Sequence, residues 1–157
     1  MNDRVLQPKH FRVNYTTYDI RREQDTLRPG HDAFIMMLSR ENGAGAHPFW
    51  YAQILGAFLI PLHYRGVNQM MEVLWVRWFG VVPGHKWGIN KARLPKIGFS
   101  PDFPGAFGFL DPSVVLRACH LIPVFAEGRT DSLLPYGPSI ARENGNSDDW
   151  TAYYVNM

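Results

Sequence analysis

Residues 49–80 constrain the fold more than any other stretch. "FWYAQILGAFLIPLHY" (49–64) and "MEVLWVRWFG" (71–80) are two apolar, aromatic-rich runs separated by the reversal "RGVNQ" (65–69). A run of sixteen residues with so few charges could be a buried helix, but Gly56 and Pro61 interrupt it and aromatics dominate it. The pattern predicts a long, bent strand with Gly56 at a bulge or tight bend, then a return strand, together a β-hairpin.

Alternation along the return strand puts Leu74, Val76 and Trp78 on one face and Trp75, Arg77 and Phe79 on the other. The first set suits a core. The second has two readings. In the plainer one, Arg77 stacks on the neighbouring rings and the whole face packs beneath long loops. In the sharper one, this face is a ligand surface that recognises a peptide or a cationic side chain through aromatic planes.

The chain of 157 residues is one domain's worth, and at 46% hydrophobic and 14% aromatic it can offset its ordering entropy. A net charge of +2 permits a polyanionic partner without requiring one. One cysteine, Cys119, excludes an intrachain disulfide and a four-thiolate zinc site. No apolar run reaches the ~20 residues needed to span a bilayer, and the first ten residues hold no apolar signal core. These features predict a soluble intracellular domain without a membrane partner.

Elsewhere the pattern is of short strands and loops. "FRVNYTTYDIRREQD" (11–25) begins as a strand, with Phe11, Val13, Tyr15 and Thr17 on one side and Asn14, Thr16 and Tyr18 on the other, and then turns charged. "LRPGHD" (27–32) reads as a turn, "AFIMMLS" (33–39) as a short apolar run and "RENGAGAHP" (40–48) as a loop. Residues 81–106 read as a loop region. In 107–126, Pro112 allows a short helical turn from Ser113 or a break between strands, and "VLRACHLIPVF" reads as another strand. Residues 127–157 read as a mostly irregular tail whose abrupt aromatic end predicts a piece of a longer protein. The fold class expected is mainly β, a small, partly open barrel with one or two short helices, in a single domain over 1–157.

No constellation of catalytic or metal-binding residues stands out. The histidines His10, His31, His47, His63, His85 and His120 form no HxH or HxxxH pair. Cys119 and His120 are adjacent, so on a strand they face opposite ways, and Cys119 reads as a small buried hydrophobe. The carboxylates Asp19, Glu23, Asp25, Asp32, Asp102, Asp111, Asp148 and Asp149 are scattered; turn chemistry explains Asp111 before Pro112, and a solvated loop explains Asp148-Asp149. The loop "GHKWGINKARLPK" (84–96) carries Lys86, Lys91, Arg93 and Lys96 with His85 around Trp87. It is either a phosphate-contacting loop with a ring for stacking or an ordinary solvated loop with Trp87 folded down as its anchor.

The blocks "FRVNYTTYDIRREQDTLRPG", "HPFWYAQILGAF", "MEVLWVRWFG", "KIGF", "AFGFLDPSVVLRACHLIPVFAEGRT", "PSIAR" and "DWTAYYVNM", in this order, resemble the C-terminal region of Plavaka-type transposases of fungi, relatives of the CACTA class of DNA transposons. The resemblance implies a nuclear accessory module, since the catalytic acids of such enzymes are expected in an upstream domain. A second likeness is to bromo-adjacent homology and SH3-like barrels of chromatin proteins, carried by "FWYAQIL", "WVRWFG" and "VLRACHLI". It departs from that pattern where Tyr51 directly precedes Ala52 and where Leu121 replaces the final valine.

Together these readings predict a non-catalytic recognition module without cofactor or metal. Its expected partner is chromatin, a histone peptide or another protein chain, bound through Trp50, Tyr51, Trp75, Arg77, Phe79 and Trp87, with Tyr153 and Tyr154 as further walls. The alternative partner is DNA, bound through Lys86, Lys91, Arg93 and Lys96. A third alternative is a domain that only packs on the body of a transposase.

Overall fold

The structure, a computed structural model, describes residues 4–16, 22–30, 33–101, 105–142 and 146–156. Thr17, Tyr18, Asp19, the end of the turn at His31 and Asp32, and Asp102 lie outside the described residues. The chain is mainly β. Its strands are β1 (Phe11–Thr16), β2 (Arg22–Leu27), β3 (Phe34–Leu38), β4 (Phe49–Tyr64), β5 (Val67–Val81), β6 (Lys96–Phe99), β7 (Phe107–Leu110), β8 (Arg117–Ala118), β9 (His120–Pro123), β10 (Arg129–Thr130), β11 (Asp149–Trp150) and β12 (Tyr153–Asn156). Helix among the described residues is limited to single 3-10 turns at Ile89–Lys91, Pro112–Val114 and Phe125–Glu127. None is long and apolar enough to cross a membrane.

The β4–β5 hairpin organises the sheet. Its turn is tighter than the expected five-residue reversal: Tyr64 pairs with Val67, leaving only Arg65 (φ 49°) and Gly66 (φ 77°) between the strands. Two consecutive positive φ values fit the turn type whose twist matches that of paired strands. The pairing register shifts between Ile54 and Gly56, so the bulge stands where the glycine predicted it. The extra residue, Leu55, is buried against Leu134 and Ala141.

Around the hairpin the strand order is β8-β3-β4-β5-β6-β12-β9, all neighbours antiparallel. Along its far side β5 is shared, with Leu74–Arg77 paired to β7 and Phe79–Val81 to β6. The two ends of the order, β8 and β9, are halves of one run separated by Cys119, whose N–H donates to the Phe34 carbonyl at 3.0 Å. The sheet therefore curls until its two margins meet in the same stretch of chain.

The curl explains why both faces of β5 are buried or half-buried between Leu74 and Phe79. One face carries Leu74 and Val76, which join Ile35, Ala52, Ile54 and Ala57 under Val13 and Leu27 of the separate β1–β2 ribbon, with Trp78 packed alongside. The Asp25 carboxylate accepts from the Ala118 N–H at 2.9 Å and ties that ribbon to β8. The other face carries Phe79, which meets Met36, Tyr51, Ile97, Phe99, Cys119, Tyr153 and Val155, contributed by strands all round the curl. Each such side chain contributes ~1.5–3 kcal/mol by leaving water.

The two regions read as mostly irregular also hold short strands. Residues 81–106 contain β6, an inner strand, and 127–157 contain β10, β11 and β12, the last paired on both sides by β6 and β9. Strands of two to four residues carry too few periods to be read locally, and their partners lie far away in sequence. The charged segment after β1 likewise pairs back as β2. The Asp111 carboxylate accepts from the Ser113 N–H at 2.8 Å, as the turn reading requires.

Candidate functional site

The beginning of β4, the end of β5 and the loop that follows enclose a cleft of about 480 Å³. The register builds it: Tyr51 stands opposite Phe79, so two rings meet where the hairpin strands enter the sheet. The chain then turns at Gly84 (φ 76°) and carries Trp87 back over His47, their rings stacked at 4.6 Å and 28°. Trp50 lines the cleft from a position held by the edge of Trp78 at 6.2 Å. Glu41 lines it as well, from the exposed loop before β4.

Two polar atoms of residues that line this cleft, His47 Nε2 and the Tyr51 hydroxyl, are buried without a partner among the described residues. His47 is 8% exposed and Tyr51 1%. His47 Nδ1 lies 2.9 Å from the Phe49 carbonyl oxygen and 3.2 Å from the Phe49 nitrogen. Nδ1 donates to that carbonyl in one tautomer and accepts from the Phe49 N–H in the other, and Nε2 takes the opposite role in each. Burial lowers the His47 pKa, outweighing the Phe49 hydrogen bond and the charge of Glu41, so the ring is neutral at pH 7. Burial also raises the Tyr51 pKa, with the Cys119 sulfur adding to it, so the phenol keeps its proton.

Four of the six aromatic-surface candidates, Trp50, Tyr51, Phe79 and Trp87, therefore line one cleft. Trp75 and Arg77 do not. Trp75 packs against Phe107 at 6.3 Å, beside Leu55. Arg77 is fully buried and stacks on Phe99 at 3.6 Å rather than on Trp75 or Phe79. It is not at the surface: Phe99, Ala141 and Asp149 cover it, in line with the plainer reading that packs this face beneath the loops. The tail tyrosines also separate from the cleft: Tyr153 is in the core and Tyr154 stands 6.1 Å from His85.

What Arg77 does instead overturns the solvated-loop reading of Asp149. Its Nη1 and Nη2 donate to Asp149 Oδ1 and Oδ2 at 2.7 and 3.1 Å. Arg142 donates to Oδ2 from Nη2 at 3.0 Å and from Nε at 3.2 Å, and also to the carbonyls of Leu134, Pro135 and Gly137. All three side chains are buried. Asp148 is also engaged, accepting from Arg129 Nε at 2.6 Å. Adjacent carboxylates in a Gly/Asn/Ser-rich segment look solvated because the guanidinium that holds one of them lies 72 residues upstream.

Of the basic candidates, Lys86, Lys91 and Arg93 are exposed, whereas Lys96 belongs to β6 and is paired with Glu127. The anchoring reading of Trp87 is met by its stack on His47. The members of the cleft that sequence reasoning missed are His47 and Glu41, both in a Gly/Ala-rich loop with nothing periodic to single them out.

Comparison with known proteins finds no matching family model, no matching curated protein and no matching solved structure.

Proposed function

We propose that the domain is a non-catalytic recognition module that binds a protein chain, with a histone tail as the first candidate, in the cleft of Trp50, Tyr51, Phe79 and Trp87. The observation that carries this reading is that four aromatic residues, from three separate stretches of chain, line one open cavity, with half-buried Trp87 on a loop. Aromatic anchors in concave sites dominate the energetics of protein recognition, and a peptide side chain with cationic character gains further from ring faces. The curled sheet also supports a partly open SH3-like or bromo-adjacent-homology-like barrel as the fold identity. A transposase-derived parent and a nuclear location belong to the same proposal and rest on the sequence resemblance.

The test is fluorescence anisotropy with labelled core-histone tail peptides on the parent and on Trp87→Ala. Trp87 lies on a loop, so its removal leaves the sheet in place. The expected result is binding that weakens by roughly tenfold or more in the variant, the loss of one ring contact at an interface. Equal binding by parent and variant, or none by either, rejects the reading.

A second reading, DNA binding, is favoured by Lys86, Lys91 and Arg93, which are exposed and in no ion pair among the described residues. It predicts binding to labelled duplex DNA that falls steeply between low and moderate salt and is lost when these three become alanine. Lys96 is left in place because it is held by Glu127.

A further inference from the structure

The outer half of the β4–β5 hairpin stands clear of the rest of the chain. Residues 67–72 are exposed without interruption, so β5 is bare on both faces there. Among the described residues, β4 is the only strand paired with 67–73; the β7 ladder begins at Leu74. The register puts Ile60, Leu62, Tyr64, Val67 and Met71 on one face of this arm, with Gln69 the one polar residue among them. A two-stranded ribbon alone is marginal in water, and a third strand is what gives such a ribbon stability.

The two margins of the arm differ. In an antiparallel ladder every second residue turns its N–H and C=O away from the partner strand. Leu59 is such a residue, since it exchanges hydrogen bonds of 2.8 and 3.0 Å with Leu6 on the side away from β5. The same phase turns Pro61 and His63 outward on β4, and it turns their opposites Met70 and Asn68 outward on β5, together with Glu72 opposite Leu59. The β4 margin is therefore blunted, by the Leu6 bridge and by a proline with no N–H to give. The β5 margin has no such guard: 67–73 holds no proline, glycine or lysine. The backbone groups of Asn68, Met70 and Glu72 line up along it without a backbone partner among the described residues.

We propose that this margin pairs with the same margin of a second copy of the chain, antiparallel and about a two-fold axis, independently of the cleft. A two-fold centred on Met70 sets Met70 opposite itself and Asn68 opposite Glu72 of the copy. Three facing pairs of outward residues exchange about six hydrogen bonds. The edge is self-complementary in charge. Glu72 is the only charged residue in 67–73, and this pairing sets it against an asparagine and not against its own counterpart. Pairing stops where Leu110 already holds Leu74. The product is a four-stranded ribbon in the order β4-β5-β5-β4. Both of its outer margins are the blunted ones, so the assembly closes at two copies and does not grow. An interface made mainly of one strand pair is small, and the dimer is accordingly weak and reversible.

Sedimentation equilibrium of the full chain from about 5 to about 500 µM tests this, with backbone amide exchange read by NMR at both ends of the range. The expected result is monomer at the low end and dimer at the high end. Exchange at Asn68, Met70 and Glu72 should slow about fivefold or more with concentration, while Gln69 and Met71, already bonded to β4, keep their rates. Met70→Pro removes the central outward N–H without breaking the β4 ladder and should abolish the dimer. Met70→Lys, which sets a like charge against itself on the axis, should weaken it about tenfold or more, and His63→Lys on the blunted margin should not. A chain that stays monomeric throughout overturns the proposal. So does a dimer that forms without slowed exchange at the three outward amides, or one that keeps its affinity in both Met70 variants while they unfold cooperatively. Growth beyond two copies also overturns it, because the β4 margin would then be open.

Discussion

Asp149→Ala is expected to lower stability by about 3–5 kcal/mol, the cost of leaving buried charge without its partner. Asp149 is 4% exposed and is the shared acceptor of Arg77 and Arg142, so its removal strands two buried guanidiniums at once. For a chain of this size that is roughly a 10 °C fall in Tm, read by thermal and urea unfolding. Arg129→Ala breaks a comparable contact with Asp148, but both partners there are partly exposed, and the expected loss is only a few tenths of a kcal/mol. Similar effects from the two variants would mean that water reaches Asp149.

The same group sets a pH dependence. Burial pushes the Asp149 carboxyl up, but the hydrogen bonds and charges of Arg77 and Arg142 together outweigh it, and its pKa lies below the ordinary 3.8. A carboxylate with a depressed folded-state pKa contributes stability that is fully present above its unfolded value and is lost as pH falls through the folded one. Stability of the parent should therefore decline below about pH 4, and Asp149→Asn should flatten that decline while starting from a lower plateau. An unchanged slope in the asparagine variant would assign the acid sensitivity to other carboxylates.

Deleting residues 153–157 is expected to abolish cooperative folding, although the segment reads as the end of a mostly irregular tail. β12 is an inner strand: Tyr153 and Tyr154 pair with β6, and Tyr153–Asn156 pair with β9. Tyr153 and Val155 are 9% and 0% exposed and belong to the cluster inside the curl. Losing two buried side chains and both ladders removes several kcal/mol, comparable with the 5–15 kcal/mol that stabilises a typical domain. Near-UV circular dichroism and a urea titration read the outcome. A truncated chain with the parent's spectrum and a sharp transition would mean that β6 and β9 can close on each other without β12.

The contrast between the hairpin and that strand shows what a sequence makes legible. β4 and β5 run for 16 and 15 residues, long enough for alternation, a glycine bulge and a reversal to be read together. Their register then carries Tyr51 and Phe79 to one place, and this is why much of the cleft could be anticipated. The plainer reading packs Arg77 beneath loops, but its partner Asp149, 72 residues away, could not be anticipated. Alternation says which residues share a face, not whether that face is covered, and the cover here comes from segments many tens of residues away. His47 and Glu41 were hidden for a simpler reason: their loop has no period, and only the stack of His47 on Trp87 gives it a place.

The meeting of both sheet margins in one run around Cys119 bears on self-association during folding. Unpaired strand margins are templates on which a second molecule can add, and the two end strands of this sheet are short and lie together within residues 117–123. That protection arrives late. Arg117–Ala118 must find β3 some 80 residues upstream, and His120–Pro123 must find a strand some 30 residues downstream, so the seam waits on two distant loop closures. Until it shuts, both margins are open together, and a refolding chain at high concentration is at its most aggregation-prone in that interval.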